Sequence, residues 1–307
     1  MMPIALLITQ LVICIALAPF LGGLTAVIKN RIRMRRGQSV FQPYYNLAKF
    51  ASKGEVVSEK TSWIFRAAPF VALSSSLAAA VLVPVCVFAG PLRYMGDLVA
   101  LIYILALGRF FLALAALDAG SAFGGMGSSR EMFISALAEP ALALAVFSLA
   151  LQYGSTAVPA SAGMHAVTVS SLAAGLTLFL VTLAETSRVP VDNQETHLEL
   201  TMVHEAMVLE YSGRSLALIE MASYVKQLAL FFLIAQVVMP IGAPAFGTAA
   251  QAVLWGLWYA ARLAIICIAV AVVEVSVAKM RLFRVADFLG FAFVLGIVAV
   301  VCSILGV

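Results

Sequence analysis

Long apolar stretches separated by shorter polar segments run along the whole sequence. Eight of them lie at about residues 3–27, 67–89, 97–117, 131–152, 165–185, 216–239, 250–278 and 285–306. Each is long enough for an α-helix to cross the roughly 30 Å of hydrocarbon in a bilayer. The pattern predicts an all-α polytopic membrane protein with about eight transmembrane helices, which form a single transmembrane domain over residues 1–307.

The composition also favours lipid as the surrounding solvent. Hydrophobic residues make up 63% of the chain and charged residues 11%, with a mean hydropathy of +1.06. A soluble domain usually carries about 25% charged residues. The first apolar stretch has no basic residue before it, as a secretory signal would need, and the first positive charge is Lys29. We therefore expect a retained first helix whose N-terminus lies outside.

The charged residues are concentrated in four of the seven connections. These are the connections after the first, third, fifth and seventh predicted helices, at about residues 28–66, 118–130, 186–215 and 279–284. In the other three connections, Arg93 is the only lysine or arginine. Basic loops stay in the cytoplasm in most membrane proteins. The distribution predicts four cytoplasmic loops, with the N- and C-termini on the non-cytoplasmic side.

The connection after the fifth predicted helix, called loop five below, is unusually acidic. Between Glu185 and Arg214 it holds six carboxylates against two arginines, and two histidines lie among them. Acidic residues have little effect on topology. The apolar residues between them fit no single helical face. An ordinary solvated loop remains possible, but the pattern fits better a segment that packs on a partner subunit or lines a cavity.

Several ionisable residues fall inside predicted helices, where each costs several kcal/mol unless it is paired or hydrated. The acids Glu139, Glu185, Glu220 and Glu274 fall in the cytoplasmic half, and the bases Arg109, Lys226 and Arg262 fall near the midplane. A ladder of carboxylates leading toward buried bases is typical of a proton path. Structural ion pairs between helices are the alternative. Glu139 lies deepest of the four acids, and the Pro140 that follows it removes a backbone donor there.

The sequence offers no recognisable active site. The four cysteines, Cys14, Cys86, Cys267 and Cys302, are far apart and form no CxxC pair, so neither an iron–sulfur nor a nickel site is expected in this chain. The glycines at 124–127 follow a predicted membrane helix and not a strand, which argues against a dinucleotide site. We expect no metal and no cofactor in this chain.

Loop five resembles a segment of a known family. The stretch AETSRVPVDNQETHLEL at 184–200 resembles the fifth-helix end and following loop of the respiratory complex I subunit 1 (NADH dehydrogenase subunit 1) family. That family's pattern falls here on Glu185, Arg188, Pro190, Asp192 and Glu195, with Glu210-Tyr211 closing it. RRGQSVFQPYYNLAKF, GSSRE and MRLFRVADFLG resemble three further segments of the family, so the resemblance covers essentially the whole chain.

Loop five departs from the quinone-dependent members of that family. His197 stands where those members have a further acid. The stretch from there to Glu210 is about three residues longer than in those members. THLELTMVHEAM followed by LEYSG resembles the homologous membrane subunit of energy-converting nickel–iron hydrogenases, which include the formate hydrogenlyase, Ech and CO-induced types. Those complexes reduce protons and use no quinone.

The hydrogenase resemblance implies a non-catalytic membrane-anchor and ion-coupling subunit in the cytoplasmic (inner) membrane of a prokaryote. Its partners would be the hydrogenase large and small subunits, an iron–sulfur subunit and antiporter-like membrane subunits. The nickel–iron centre and the iron–sulfur clusters would lie in those partners. Proton reduction would be linked to proton or sodium translocation. The electron donor (formate, carbon monoxide, ferredoxin or another) stays open.

The resemblance also assigns docking residues. In loop five they are Arg188, Asp192, Glu195, His197, Glu199, His204, Glu205, Glu210, Tyr211 and Arg214. In the first loop they are Arg35, Arg36, Gln42 and Lys49. Two other functions stay open: a quinone-site subunit of a complex I-type NADH dehydrogenase, and a stand-alone ion transporter, although the sequence shows no convincing internal repeat.

Overall fold

The structure is a computed structural model, and it describes residues 2–83, 97–156, 167–193, 202–239 and 249–306. Within those ranges its regular elements are α-helices. They are α1 Met2–Ile32, α2 Gln42–Ser52, α3 Trp63–Leu82, α4 Leu98–Asp118, α5 Ala122–Tyr153, α6 Val169–Glu185, α7 His204–Val208, α8 Gly213–Val238, α9 Ala249–Ser276 and α10 Leu282–Leu305.

Eight of these helices account for the eight apolar stretches. Seven are long and apolar enough to cross a membrane. The eighth, α6, has 17 residues and lies at the short end of the spanning range. The predicted all-α, multi-pass architecture is confirmed. Two additional short helices, α2 and α7, lie in the first and fifth loops.

Helix α5 begins much earlier than the sequence indicated. The predicted connection 118–130 shrinks to residues 119–121, because the side chain of Ser121 caps the helix by accepting a bond from the Gly124 N–H. The glycines here serve close packing. A Cβ at Gly124 would lie 2.5 Å from the Ala116 carbonyl oxygen, and one at Gly127 would lie 2.8 Å from the Ala206 side chain. Glu139 is therefore the eighteenth residue of its helix and not about the ninth.

The four charged connections meet at one end of the bundle, called the charged end below. Hydrogen bonds and an ion pair join them: Ser62 N–H to Asp118 (2.7 Å), Val56 N–H to Ser212 Oγ (2.9 Å) and Lys279 Nζ to Asp192 Oδ1 (2.6 Å). Two hydrogen bonds lie at the opposite end of the bundle. The Leu98 N–H donates to the Thr156 carbonyl (2.9 Å), and the Gln10 side-chain amide donates to the Val83 carbonyl (3.1 Å). The alternation of connections predicted from the sequence is therefore present.

Helix α8 lies at the centre of the bundle. It packs against α1, α2, α3, α6 and α9, and nearly every residue of its second half is buried. Helices α4 and α10 close the bundle against α3 and α5. Because α8 is surrounded on several sides, the side chains of its polar residues Lys226 and Gln227 point into protein and not into lipid.

Candidate ion-translocation site

Arg109 on α4 joins three helices near the middle of the bundle. Its Nη1 donates to Glu185 at the end of α6, and its Nη2 lies 3.1 Å from Glu139 Oε1 on α5. The side chains of Arg109 and Glu185 are 7% and 3% exposed, so this pair is shielded from solvent and lipid. Burying a charge is costly unless it is paired. One arginine here compensates two carboxylates.

Glu131 also belongs to this region, and sequence reasoning missed it. It lies on α5 eight residues before Glu139, so the two acids are about two turns apart on one face of the helix. Glu131 is buried and interacts electrostatically with Lys226 and Arg109. Glu131 is the first residue of the predicted stretch 131–152, so it reads as a helix-end residue, because the glycine-rich segment before it reads as a connection. A helix drawn from Ala122 would have placed it on the Glu139 face.

A small polar cavity lies between these helices. Its volume is about 40 Å³, and charged or titratable groups line it from four elements: Arg109, Glu131, His204 and Lys226. Helix α3 adds the hydroxyls of Ser75 and Ser76. A polar cavity of this size has room for at least one water molecule. The interior of the bundle can therefore be hydrated beside its buried charges.

A second buried charge cluster centres on Glu274 of α9. Its carboxylate lies 2.6 Å from Arg188 Nη1 and 3.1 Å from Lys29 Nζ of α1. Arg188 Nη2 also donates to Gln227 on α8 at 2.9 Å. Glu274, Arg188 and Lys29 border a cavity of about 150 Å³ that Asp192 and Tyr224 line as well. Glu274 is thus a buried ion-pair partner and does not reach out to solvent.

The end of α6 connects the two clusters. Glu185 belongs to the Arg109 cluster, and Arg188, three residues later, belongs to the Glu274 cluster. The turn between them is held by its own backbone, because the Arg188 N–H donates to the Leu183 carbonyl at 2.9 Å.

Two residues of the predicted path lie apart from these clusters. Arg262 is buried, but its guanidinium donates to the Ala235 carbonyl at the end of α8 and lies 5.2 Å over the Tyr259 ring. A cation at a helix C-terminus is favourable with the helix dipole. Glu220 of α8 is partly buried and lies within electrostatic reach of Glu205. Among the contacts of the described residues, neither reaches Arg109 or Glu274.

Asp192 fixes loop five to its surroundings. Its Oδ2 accepts from the backbone N–H groups of Val203 (3.3 Å) and His204 (3.2 Å). Its Oδ1 pairs with Lys279 in the connection before α10. Asp192 is buried, so the carboxylate positions the chain from inside. The predicted neighbours Glu195, His197 and Glu199 lie outside the described residues.

Tyr211 does not lie on the surface of loop five. It is 5% exposed, its hydroxyl donates to the Phe65 carbonyl at 2.9 Å, and its ring stacks on the Phe65 ring at 4.0 Å. Burial raises the pKa of the hydroxyl above its usual range. Tyr211 therefore braces the loop on α3, and its docking role stays a prediction. Glu210 and Arg214 are exposed beside it, and Glu205 is partly exposed.

The predicted docking residues of the first loop form an open basic surface at the charged end. Arg35, Arg36 and Lys49 are exposed, whereas Gln42 is half-buried and bonds Asn46 on the same helix. Helix α2 packs against α8 and α1, so it lies on the bundle.

Replacing Asp192 with alanine should loosen loop five without unfolding the bundle. Loss of a buried ion-pair partner costs on the order of 3 kcal/mol. Exchange of the Val203 and His204 amides should therefore speed up roughly 100-fold, measured by hydrogen exchange and mass spectrometry on the detergent-solubilised protein. Glu210→Ala, in the same loop but exposed, should leave this exchange unchanged. Equal protection in the two variants would show that Asp192 does not hold the loop.

An apolar groove of about 660 Å³ runs beside Glu139, between α4, α5 and α10. Tyr103, Pro140, Phe147 and Phe293 are among the residues that line it. The Glu139 side chain is 45% exposed at its edge, although its helix spans the membrane. Among the described residues, no group of three His, Cys, Asp or Glu side chains is placed to hold a metal ion.

Comparison with known proteins agrees with this architecture. Residues 4–305 match the NADH dehydrogenase family. The chain is 35% identical to hydrogenase-4 component C of Escherichia coli strain K12 over 243 residues, which cover 76% of this chain and 75% of that protein. It is 32% identical to formate hydrogenlyase subunit 4 of the same strain over 278 residues, which cover 89% and 90%.

A solved structure shows the same fold. A chain from the membrane-bound sulfane sulfur reductase (MBS), an archaeal respiratory membrane complex, superposes with a TM-score of 0.84 at 17% identity, covering 99% of this chain and 100% of that one. The resemblance inferred from the loop motifs is therefore confirmed. The chain belongs to the NADH dehydrogenase subunit 1 family of multi-pass membrane proteins, and its relatives include hydrogenase-4 component C and formate hydrogenlyase subunit 4.

Proposed function

We propose that this chain is the membrane-anchor and ion-coupling subunit of a membrane-bound nickel–iron hydrogenase complex, and that it holds no active site of its own. The observation that carries the proposal is the cluster in which Arg109 pairs with the buried Glu185 and the half-exposed Glu139, beside a hydratable cavity that Arg109, Glu131 and Lys226 line. Ionisable residues inside a membrane domain are costly, and they commonly mark an ion path.

The cluster suits proton movement because its charges exchange partners easily. Arg109 contacts Glu185 and Glu139 at once. A proton that binds Glu139 leaves the Arg109–Glu185 ion pair intact, so this pair is kept in both protonation states of Glu139. Water in the adjoining cavity would lie between Arg109 and Glu131, which both line it. The redox partners, the hydrogenase large and small subunits with an iron–sulfur subunit, would drive this exchange and hold the nickel–iron centre and the clusters.

The groove beside Glu139 suits a neighbouring membrane subunit. A carboxylate exposed to lipid costs several kcal/mol. A transmembrane helix of an antiporter-like subunit seated in the apolar groove would cover Glu139 and extend the path sideways. On the other flank, the basic first loop and loop five at the charged end would receive the redox subunits.

The charged end is proposed to face the cytoplasm of a prokaryotic cell, with this chain in the inner membrane. Basic connections are retained on that side. A reporter fused after Lys53 or after His197 should therefore report a cytoplasmic location, and one fused after Ala243 should report an external location. Alkaline phosphatase and green fluorescent protein fusions provide opposite readouts at each site. Reversed labelling at any of the three sites would rule out this topology.

Purification through a tag on this chain tests the function. The expected result is a complex that contains nickel, evolves hydrogen and acidifies or alkalinises the lumen of proteoliposomes during turnover. Turnover in sodium-free buffer distinguishes protons from sodium ions. A nickel-free complex with bound quinone would favour the complex I-type function, which the family match also allows. Purification of the chain alone would favour a stand-alone ion transporter.

A further inference from the structure

We infer that His204 is the proton-relay group that joins the charged end of the bundle to Glu131 in its interior. The inference rests on the proposed ion-coupling function, and it adds an entry point that the predicted path did not contain. The sequence assigned His204 to docking only, and it missed Glu131. The observation behind the inference is that both side chains line the same 40 Å³ cavity.

His204 lies where a relay is needed. It opens the short helix α7 in loop five, outside the membrane-spanning helices, and α7 packs against α5 and α4. Its backbone N–H is held by Asp192, so the residue has a fixed position over the cavity. On the far side of the cavity, Glu131 and Lys226 lie at the level of the buried charges. A proton that passes from loop five into the bundle by this cavity meets His204 first.

The charges around His204 come from every element that borders it. Lys226 of α8 and Arg109 of α4 are basic, and Glu131 of α5 is acidic. On the loop itself, Asp192 and Glu205 add two carboxylates within electrostatic reach. Helix α3 contributes the uncharged Ser75 and Ser76 to the cavity lining.

These surroundings favour the neutral imidazole. Burial lowers the pKa of His204 below its usual value near 6.5, and the positive charge of Lys226 lowers the pKa further, against the opposing pull of Glu205 and Asp192. The neutral ring therefore predominates at neutral pH. It carries one N–H and one free nitrogen lone pair, so it can accept a proton on one side while it donates from the other.

The transfer balances without any other reactant. The free ring nitrogen of His204 accepts a proton from the charged end and forms an N–H bond, which gives the imidazolium. The opposite N–H then breaks and its proton passes through a cavity water to the Glu131 carboxylate, which forms an O–H bond. His204 is again neutral, as the other tautomer. Lys226 and Arg109 offset the charge of the ionised Glu131 and become less compensated when it is protonated, which favours onward transfer.

Substitution of His204 in the purified, reconstituted complex tests the relay. His204→Gln keeps a polar side chain of similar size that cannot titrate, and it should reduce ion translocation at least tenfold while the complex still assembles. His204→Ala should show the same loss, and added imidazole should restore translocation because the small ring can occupy the vacated space. Glu59→Gln, an exposed acid at the same end, is the matched control and should translocate normally.

The results of these experiments distinguish failure of the His204 relay from failure of the proposed ion-coupling function. Wild-type translocation by His204→Gln, in a complex that Glu139→Gln inactivates, would overturn the relay and leave the ion-coupling function standing. Loss of translocation that imidazole does not restore, or failure of both His204 variants to assemble, would overturn it as well, because the role would then be structural. If neither Glu139→Gln nor His204→Gln affects translocation, the proposed function itself fails.

Discussion

In the proposed hydrogenase complex, Glu139→Gln is expected to abolish ion translocation while the complex assembles and keeps its nickel. Glutamine preserves the size of the side chain and its hydrogen bond to Arg109, which lies 3.1 Å away, but it carries no exchangeable acid proton. The apolar groove beside it is unchanged, so a neighbouring helix still seats. The measurement is lumenal pH change in proteoliposomes during hydrogen turnover. We expect at least a tenfold loss, with turnover reduced as well if the two processes are tightly coupled.

Two further variants sharpen this result. Glu139→Asp keeps the acid but shortens its reach by one methylene, so its loss should be smaller than that of Glu139→Gln. Glu59→Gln removes an exposed acid at the charged end and should leave translocation intact. Vesicles of Glu139→Gln that pump at the wild-type rate would show that Glu139 is structural and that the ion path runs elsewhere.

Arg109→Gln should strongly destabilise the protein. The substitution leaves Glu185 buried without its charged partner and removes the tie to Glu139. Breaking a buried ion pair by removing one partner costs about 3–5 kcal/mol. The expected result is a marked fall in the melting temperature and in the yield of assembled complex, measured by thermal unfolding in detergent. Arg66→Gln, an exposed arginine at the start of α3, is the control and should melt near the wild-type temperature.

The double variant Arg109→Gln, Glu185→Gln tests the cause. If the destabilisation arises from an uncompensated carboxylate, removing that charge as well should recover part of the loss, and the two effects will not add. Simple additivity would show that Arg109 stabilises the bundle by packing rather than by pairing.

The hydrophobic pattern predicts the helices because about 20 apolar residues are needed to cross a bilayer whatever their neighbours are. It fails at the start of α5. Glycine and serine lower helix propensity, so the segment from Ala122 reads as a connection. The reason for these small residues is tertiary: Gly124 and Gly127 allow α4 and α7 to approach closely. A single sequence does not show this helix contact. Without it the true start of α5 could not be predicted, and Glu131 was therefore not recognised as part of the buried set.

The charged residues were predictable as members of a buried set, but their partners were not. The position of a residue along its helix indicates its depth in the membrane. It predicted that Arg109 and Glu139 both lie inside the membrane domain. It gives no information on which helices are neighbours. Arg262 has a similar depth to Arg109, yet α9 carries it to the end of α8, where it contacts a carbonyl and an aromatic ring.

The short turn that ends α6 makes the two charge clusters thermodynamically reciprocal. Glu185 and Arg188 are three residues apart on a backbone held by its own hydrogen bonds, so one short segment carries a member of each cluster. If occupation of loop five by a partner alters the proton affinity of Glu139, then protonation of Glu139 must alter the affinity for that partner by the same factor. Protonation of Glu139 should then be detectable as a change in the affinity of the membrane subunit for the proposed redox subunits.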